Sequence, residues 1–374
     1  MKLPRLKPLH NAYKLPSGRI RVGGTQFGVA TELEDGDAGQ VWTLLGLLDG
    51  TRSIDAIVAE HARRFPDFDA DSVRDAVAAL IEAGFVEDAG GPLPDNLDPD
   101  ELERYARSAH YFSWADVQPR HSPFEIQGRL KAARVSVLGL GGTGSAAALA
   151  LVASGVGAVQ CIDFDQVETT NLTRQILYLE DDVGRPKVER AVARLRRLNP
   201  AVEVTGREMK VESSAQVLEL MEGRDLFVLC ADQPRQIIEY WVSDAAVRSR
   251  TPWVVASYAG PMLVCGFFIP GTTPCWRCFM HAKAQRDAAG LGAATPLLPP
   301  LQTNAVIAPT AAIAGNFAAL EAIYFIARMQ PQTVGRIFHQ NFIQYDHTYF
   351  IEAPPWPECP ACNGATWPLP VPGL

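Results

Sequence analysis

Hydrophobic positions recur in distinct rhythms along this chain, and each rhythm marks a kind of element. Residues 11 to 34 alternate short apolar stretches with glycine turns, YKLPSGRIRVGG and then FGVATELED, which predicts short strands. Three helical repeats follow. Trp42, Leu44, Leu45, Leu47 and Leu48 lie on the first, which stops at Asp49-Gly50. Ile54, Ile57, Val58 and His61 share a face of the second, and Val73, Val77, Leu80 and Ile81 a face of the third. Phe85-Val86 then begins a terminal strand. Strands plus three short helices predict a small α+β winged helix-turn-helix domain over residues 1–90. The Gly/Pro/Asp-rich stretch AGGPLPDNLDPD makes residues 91–100 a linker, and residues 101–374 the second domain.

The rhythm changes at Val135. An apolar strand, Val135 to Leu138, enters a glycine turn with Gly139, Gly141, Gly142 and Gly144. A helix of small residues follows, then a strand ending at Asp163. This is half of a nucleotide-binding α/β unit. The glycines let backbone approach a phosphate, the helix start offers N–H donors, and Asp163, 19 residues after Gly144, is placed to hydrogen-bond a ribose. Strand and helix patterns then alternate: VERAVARLRRLNP is a helix closed by Asn199-Pro200, and VEVTGREMKV and Leu226 to Cys230 are strands. An α/β fold with a largely parallel sheet results.

A glycine turn of this kind also serves dinucleotides. Asn171, Arg174, Gln175 and Lys187 point elsewhere, because a dinucleotide pyrophosphate needs little cationic help beyond the helix N-terminus. A triphosphate under attack needs Arg and Lys clamps. The plain alternative is that Arg174 and Lys187 are surface charges.

The run Gly139 to Gly144, Asp163-Phe164-Asp165, Asn171-Leu172-Thr173-Arg174-Gln175 and Gly184-Arg185-Pro186-Lys187 resembles the ThiF, MoeB and ubiquitin-activating-enzyme superfamily of adenylating enzymes. The resemblance covers roughly residues 101 to 362. It implies a Rossmann-like nucleotide-binding domain and ATP-dependent adenylation of a carboxylate, usually a peptide C-terminus, with release of pyrophosphate. On that reading Gly139, Gly141, Gly142, Gly144, Asp163, Asp165, Asn171, Arg174, Gln175 and Lys187 bind ATP, and Arg174 and Lys187 are catalytic.

Asp232 follows the strand that ends near Cys230. In an open parallel sheet, ligands bind at the carboxyl ends of strands, so Asp232 is placed to hold Mg²⁺ against the phosphates. The family has an aspartate here too. The alternative role is a cap for the helix that follows. In the superfamily an R-Y-x-R segment before the nucleotide fold supplies an arginine to the triphosphate, often across a dimer interface. The equivalent here is Arg104-Tyr105-Ala106-Arg107, which makes Arg107 a further catalytic candidate. The small-residue segment 304–328 resembles the one that packs at the family's dimer interface, and it reads equally well as a buried helix within one chain. A homodimer is the expected assembly.

Seven cysteines without a secretion signal argue against disulfides. Four form the pairs Cys275-x-x-Cys278 and Cys359-x-x-Cys362, which suit a tetrahedral Zn²⁺. Four thiolates leave no open position, so that metal is structural. The step of 81 positions from Cys278 to Cys359 makes it a staple tying the C-terminal tail to the domain. Cys161, Cys230 and Cys265 lie singly in apolar stretches, and the segment from Met280 to Gln302, where relatives carry a nucleophilic cysteine, has none. An acyl-adenylate without a thioester is therefore expected.

Charge decides the use of the first domain. Residues 1–90 hold 10 Lys plus Arg against 14 Asp plus Glu, and the whole chain has net charge −8, which gives no support for a general nucleic-acid role. Peptide capture by strand addition tolerates an acidic domain. The stretch from Leu47 to Asp88 resembles the PqqD-type element of peptide-modifying enzymes, which binds the leader of a ribosomal precursor peptide. No uninterrupted apolar run is long enough to span a bilayer, and the basic first residues lack the apolar core of a signal peptide. A cytoplasmic location, no membrane partner and a precursor-peptide substrate are the expectations. The competing readings are adenylation of a ubiquitin-like sulfur-carrier protein and a non-catalytic leader-binding scaffold.

Overall fold

The computed structural model describes residues 1–24, 29–290 and 305–363. The chain divides into two compact units after Arg129.

In the first unit β1 (Pro4–Leu6) pairs antiparallel with β5 (Val86–Asp88). A second antiparallel sheet contains β2 (Ala12–Lys14), β3 (Ile20–Val22) and β4 (Thr31–Leu33). The three periodic stretches are α1 (Gln40–Leu47), α2 (Ile54–Arg64) and α3 (Ala70–Glu82). Local chemistry sets their starts. Ser53 Oγ accepts from Ala56 N, and the Asp69 carboxylate accepts from Ser72 N, each satisfying a donor that the helix cannot. Ile57, Val58, Val73, Val77 and Leu80 close one core with Leu44, Leu45, Ile20 and Phe85.

This unit runs past the Gly/Pro/Asp stretch. It also holds α4 (Pro99–Arg104), α5 (Ala106–Ala115) and most of α6 (Glu125–Ala132). The buried Lys7 ammonium donates to Asp116 O at 2.7 Å, and Asn96 Nδ2 donates to Gly128 O at 2.8 Å. Segments 101–129, read from the sequence as part of the second domain, thus pack with the first unit. Contacts between residues a hundred positions apart leave no periodic trace.

The second unit is built on an eight-stranded sheet. Its elements in chain order are β6 (Arg134–Leu138), α7 (Gly142–Ala153), β7 (Ala158–Asp163), α8 (Lys187–Leu198), β8 (Glu203–Glu208), α9 (Ser214–Met221), β9 (Leu226–Leu229) and α10 (Ile238–Ser249). Then come β10 (Trp253–Ala259), β11 (Met262–Phe268), α11 (Trp276–Ala288), α12 (Ala308–Ile326), β12 (Arg336–Asn341) and β13 (Thr348–Glu352). The strand order is β13-β12-β11-β10-β9-β6-β7-β8. From β10 to β8 neighbours are parallel, while β11, β12 and β13 extend the sheet antiparallel. The chain builds outward from β6 through β7 and β8, then returns to place β9 on the other side of β6. That reversal opens a crevice at the carboxyl ends of β6 and β9, where α/β sheets bind ligands.

Helix α12 is long and apolar enough to cross a membrane by length and composition alone, although Thr310, Asn316 and Glu321 interrupt its apolar run. Here it packs on the sheet and on α7. A side chain at Gly315 would stand 2.1 Å from Thr143 O, so glycine is what lets these two helices touch.

Candidate functional site

The glycine turn contains two kinds of glycine. Gly139 has φ +90°, and a Cβ there would lie 2.6 Å from Ala231 N. A Cβ at Gly144 would lie 1.7 Å from Gly139 O. These two are required by the protein's own packing: the turn folds back on its helix and against the loop after β9. Gly141 differs. Its φ is −67°, which any residue adopts, and among the described residues a Cβ would meet only Gln175 Nε2, at 3.9 Å. The space over Gly141 is left open, beside the N-terminus of a twelve-residue helix whose first N–H groups have no intrahelical acceptor. That open space is a cradle for an anion.

Leu140, the larger residue inside the turn, is fixed from three sides. Its N–H donates to Asp163 Oδ2 at 2.6 Å. Its carbonyl accepts from Ser145 Oγ and from Tyr178 Oη, each at 3.0 Å. Tyr178 had no signal in the sequence beyond being an aromatic residue in the short apolar run Ile176 to Leu179. It links the segment carrying Arg174 and Gln175 to the turn.

The remaining residues fall around this turn. Gln175 is buried, and its Oε1 has no partner among the described residues. A Cβ on Gly142 would lie 3.4 Å from Arg174 Cγ, which places Arg174 at the helix start. The Arg174 guanidinium donates to Thr170 O at 2.9 Å. Lys187 is buried at the first position of α8, and its ammonium pairs with Asp165 at 2.9 Å. Asp165 N in turn donates to Asp163 Oδ1 at 2.9 Å. Burial raises the Asp163 carboxyl above its ordinary pKa, against the opposing pull of Lys187.

Two sequence-based roles are narrower in the structure. Asp163, expected at a ribose, has each oxygen accepting a backbone N–H, so it braces the turn whatever else it holds. Asn171, expected at phosphate oxygens, accepts from Glu168 N at 3.1 Å and shapes its own 3₁₀ turn. Asp232 is exposed on the loop after β9, next to Ala231 that abuts Gly139. Arg107 is exposed on α5 in the first unit.

The four paired cysteines converge. Their sulfurs all lie within 4.8 Å of one another, with Cys275–Cys278 at 3.8 Å, Cys275–Cys359 at 3.5 Å and Cys278–Cys362 at 3.6 Å. A tetrahedral zinc with bonds of about 2.3 Å needs sulfur–sulfur edges of about 3.8 Å. A disulfide needs about 2.05 Å. The set therefore fits zinc and not a disulfide. The other three thiols are poor nucleophiles: burial pushes Cys161 and Cys230 up to about 12 and raises Cys265 well above the ordinary thiol value. The segment from Met280 to Gln302, where the resemblance would put a nucleophilic cysteine, lies outside the described residues from 291 onward.

Comparison with known proteins agrees with this geometry. The model of the ThiF family matches residues 113–361. The chain is 35% identical over 216 residues to the sulfur carrier protein ThiS adenylyltransferase of Bacillus subtilis, covering 57% of this chain and 60% of that protein. It is 32% identical over 323 residues to the bovine adenylyltransferase and sulfurtransferase MOCS3, covering 82% and 64%. The chain thus spans about three-fifths of the length of these two relatives. It covers 91% of the SAMP-activating enzyme E1 of Haloferax volcanii, at 31% identity and 72% of its own length. The crystal structure of E. coli MccB superposes with a TM-score of 0.76 at 22% identity, covering 99% of both chains. The glycine turn, its cations and a family match spanning most of the second unit lead to one conclusion: the chain belongs to the ThiF family.

Proposed function

We propose that this protein is an ATP-dependent adenylyltransferase acting on a carboxylate of a ribosomally made precursor peptide. The carboxylate oxygen attacks the α-phosphorus of ATP, the bond to the β-phosphate breaks, and pyrophosphate leaves with the electron pair. An acyl-adenylate remains. No protein nucleophile is needed, so the work is positioning and charge neutralisation. The observation that carries the reading is the open space over Gly141 beside Arg174 and Gln175, with Lys187 held close by through Asp165.

Each residue has a part. The α7 N-terminus and Arg174 receive phosphate oxygens. Lys187 exchanges its hold on the half-exposed Asp165 for a phosphate, which offers it more negative charge. The Gln175 amide, buried with a free acceptor, fixes the nucleotide by hydrogen bonding. Asp163 keeps the turn in shape and borders the ribose. Asp232 would hold Mg²⁺, which neutralises phosphate charge when bound. Arg107 would add a third cation from a second copy of the chain in a homodimer. The four cysteines hold a structural zinc.

The peptide reading is supported by the extent of the likeness to MccB. That protein, the microcin C7 biosynthetic enzyme, has been crystallised with N-formylated MccA and with ATP, and its fold covers this chain's first unit as well as its second. The first unit serves as the leader-binding PqqD-like element. A second reading, activation of a sulfur-carrier protein, is favoured by the names of the relatives at 31–35% identity.

Pyrophosphate exchange with ATP separates the two. Exchange stimulated by a peptide encoded beside the gene supports the first. Exchange stimulated only by a small protein ending in Gly-Gly supports the second. No exchange with either overturns adenylation itself.

A further inference from the structure

Helix α10 joins the two functional regions of the second unit, and its residues divide by face. Ile238, Val242, Ala245 and Ala246 enter the sheet core. Tyr240, Ser243, Asp244 and Val247 recur at i, i+3, i+4 and i+7, and all four meet the cysteine lobe. Val247 packs against the four cysteines. Ser243 Oγ accepts from Trp276 N at 3.2 Å. Asp244 takes the Arg277 guanidinium with two bonds, at 2.8 and 2.6 Å, and Arg277 lies 5.1 Å from the Tyr240 ring. Arg277 is the residue between Trp276 and Cys278, so the ion pair grips the metal loop itself.

The other end of α10 lies beside Asp232. Ile237 N and Ile238 N both donate to Pro234 O at 3.1 Å, tying the helix start to the loop that carries Asp232. Glu239, in the first helical turn, has a buried carboxylate oxygen without a partner among the described residues.

We infer that Asp244 and Arg277 are positioning residues: they lock α10 onto the four-cysteine lobe and thereby hold the Asp232 loop where a divalent cation is bound with nucleotide. The bidentate fork resists both sliding and rotation of the helix, which a single hydrogen bond would not. A zinc held by the four cysteines would order the loop from which Arg277 projects. Asp232 is thus held from one side by β9 and from the other by a helix fastened to the cysteine lobe.

The inference rests on the reading of Asp232 as a Mg²⁺ ligand, and its test keeps the two apart. ATP binding to the full-length protein is measured by calorimetry with EDTA and at stepped Mg²⁺ concentrations. Zinc content is measured in parallel. Asp244→Asn and Arg277→Gln should leave metal-free ATP affinity and zinc content unchanged. They should raise the Mg²⁺ concentration for half-maximal tightening about five-fold, the scale of coupling carried by packed networks. The double variant should match the single ones, since all break one contact. Asp244→Glu should restore most of the loss. Ser243→Ala, which removes one hydrogen bond at the same seam, gives the test a milder form if the charge variants do not fold. An unchanged Mg²⁺ requirement in folded variants overturns the inference, as does equal loss of affinity with and without Mg²⁺. If the unaltered protein binds ATP with no Mg²⁺ step, the assignment of Asp232 falls, and the inference with it.

Discussion

The Leu140 N–H donates to Asp163 Oδ2 at 2.6 Å, so the acid at the end of β7 grips the glycine turn after β6. The same carboxylate accepts from Asp165 N, next in line to the pair with Lys187. One carboxylate therefore couples the shape of the anion cradle to the cation beside it.

The two kinds of glycine should separate in a mutant pair. Gly141→Ala adds a methyl group where there is room, so stability should change by less than about 1 kcal/mol, while ATP affinity falls because the methyl occupies the cradle. Gly144→Ala drives its methyl into Gly139 O and should lower the melting temperature strongly. Thermal unfolding and nucleotide titration on both variants check this. Equal behaviour would remove Gly141 from the site.

Removing either cation should act on chemistry more than on folding. Arg174→Ala and Lys187→Ala should each lower pyrophosphate exchange by about 10²–10³-fold, the usual effect of losing a charge-stabilising donor. Lys187→Ala leaves the half-exposed Asp165 to water but also removes a buried side chain and the charge that offsets the burial of Asp163, so exchange is compared on samples shown to be folded by circular dichroism. Exchange rates near those of the unaltered protein would reject these assignments.

Cys359→Ser should abolish zinc binding, because a closed tetrahedral site tolerates no missing thiolate. A loss of about 2 kcal/mol would lower the melting temperature by about 4–8 °C in a domain of this size. Metal analysis and calorimetry on one sample check both.

No thioester should form. Cys230→Ala and Cys265→Ala should retain pyrophosphate exchange, and no adduct labile to thiols should appear on the chain during turnover. Cys265 is buried and Cys230 half-buried, and desolvation raises both pKa values, so neither supplies a thiolate near neutrality. A thiol-labile adduct on either residue would reverse this reading.

His10 should make the first unit sensitive to acid. Burial, then the Lys7 charge, lowers its pKa below the ordinary 6.5. The unfolded chain then binds more protons than the folded one between the two values. The stability from His10 is full above pH 6.5 and is lost as pH falls toward the lower, folded value. The melting temperature of His10→Gln should therefore fall less between about pH 7.5 and 5.5 than that of the unaltered protein.

Local signals were legible in the sequence wherever neighbours in the chain are neighbours in space. The strand entering Gly139, the helix after it and the three helices of the first unit all depend on interactions within a few residues. The cysteine pairs were legible for another reason. Only metal binding or oxidation gives C-x-x-C spacing a purpose, and the staple they predict brings residues 84 positions apart to 3.5 Å. Other features carried no sequence signal. Tyr178 on Leu140, Lys7 on Asp116 and the face of α10 turned toward Arg277 join distant segments, and the first two end on a backbone carbonyl, which every residue carries.

The sequence by itself determined the chemistry available: glycines that admit an anion, cations to receive it, acids that brace the turn or bind a cation, and thiols spaced for a metal. The tertiary structure decided which of these serve the protein and which face a ligand. It made Gly139 and Gly144 packing residues and left Gly141 open, and it turned Asp163 inward to brace the turn. The reason is physical. Residue type fixes what a side chain can bond to, but only the packing of β6 against β7 and β9 fixes which bonds are already made.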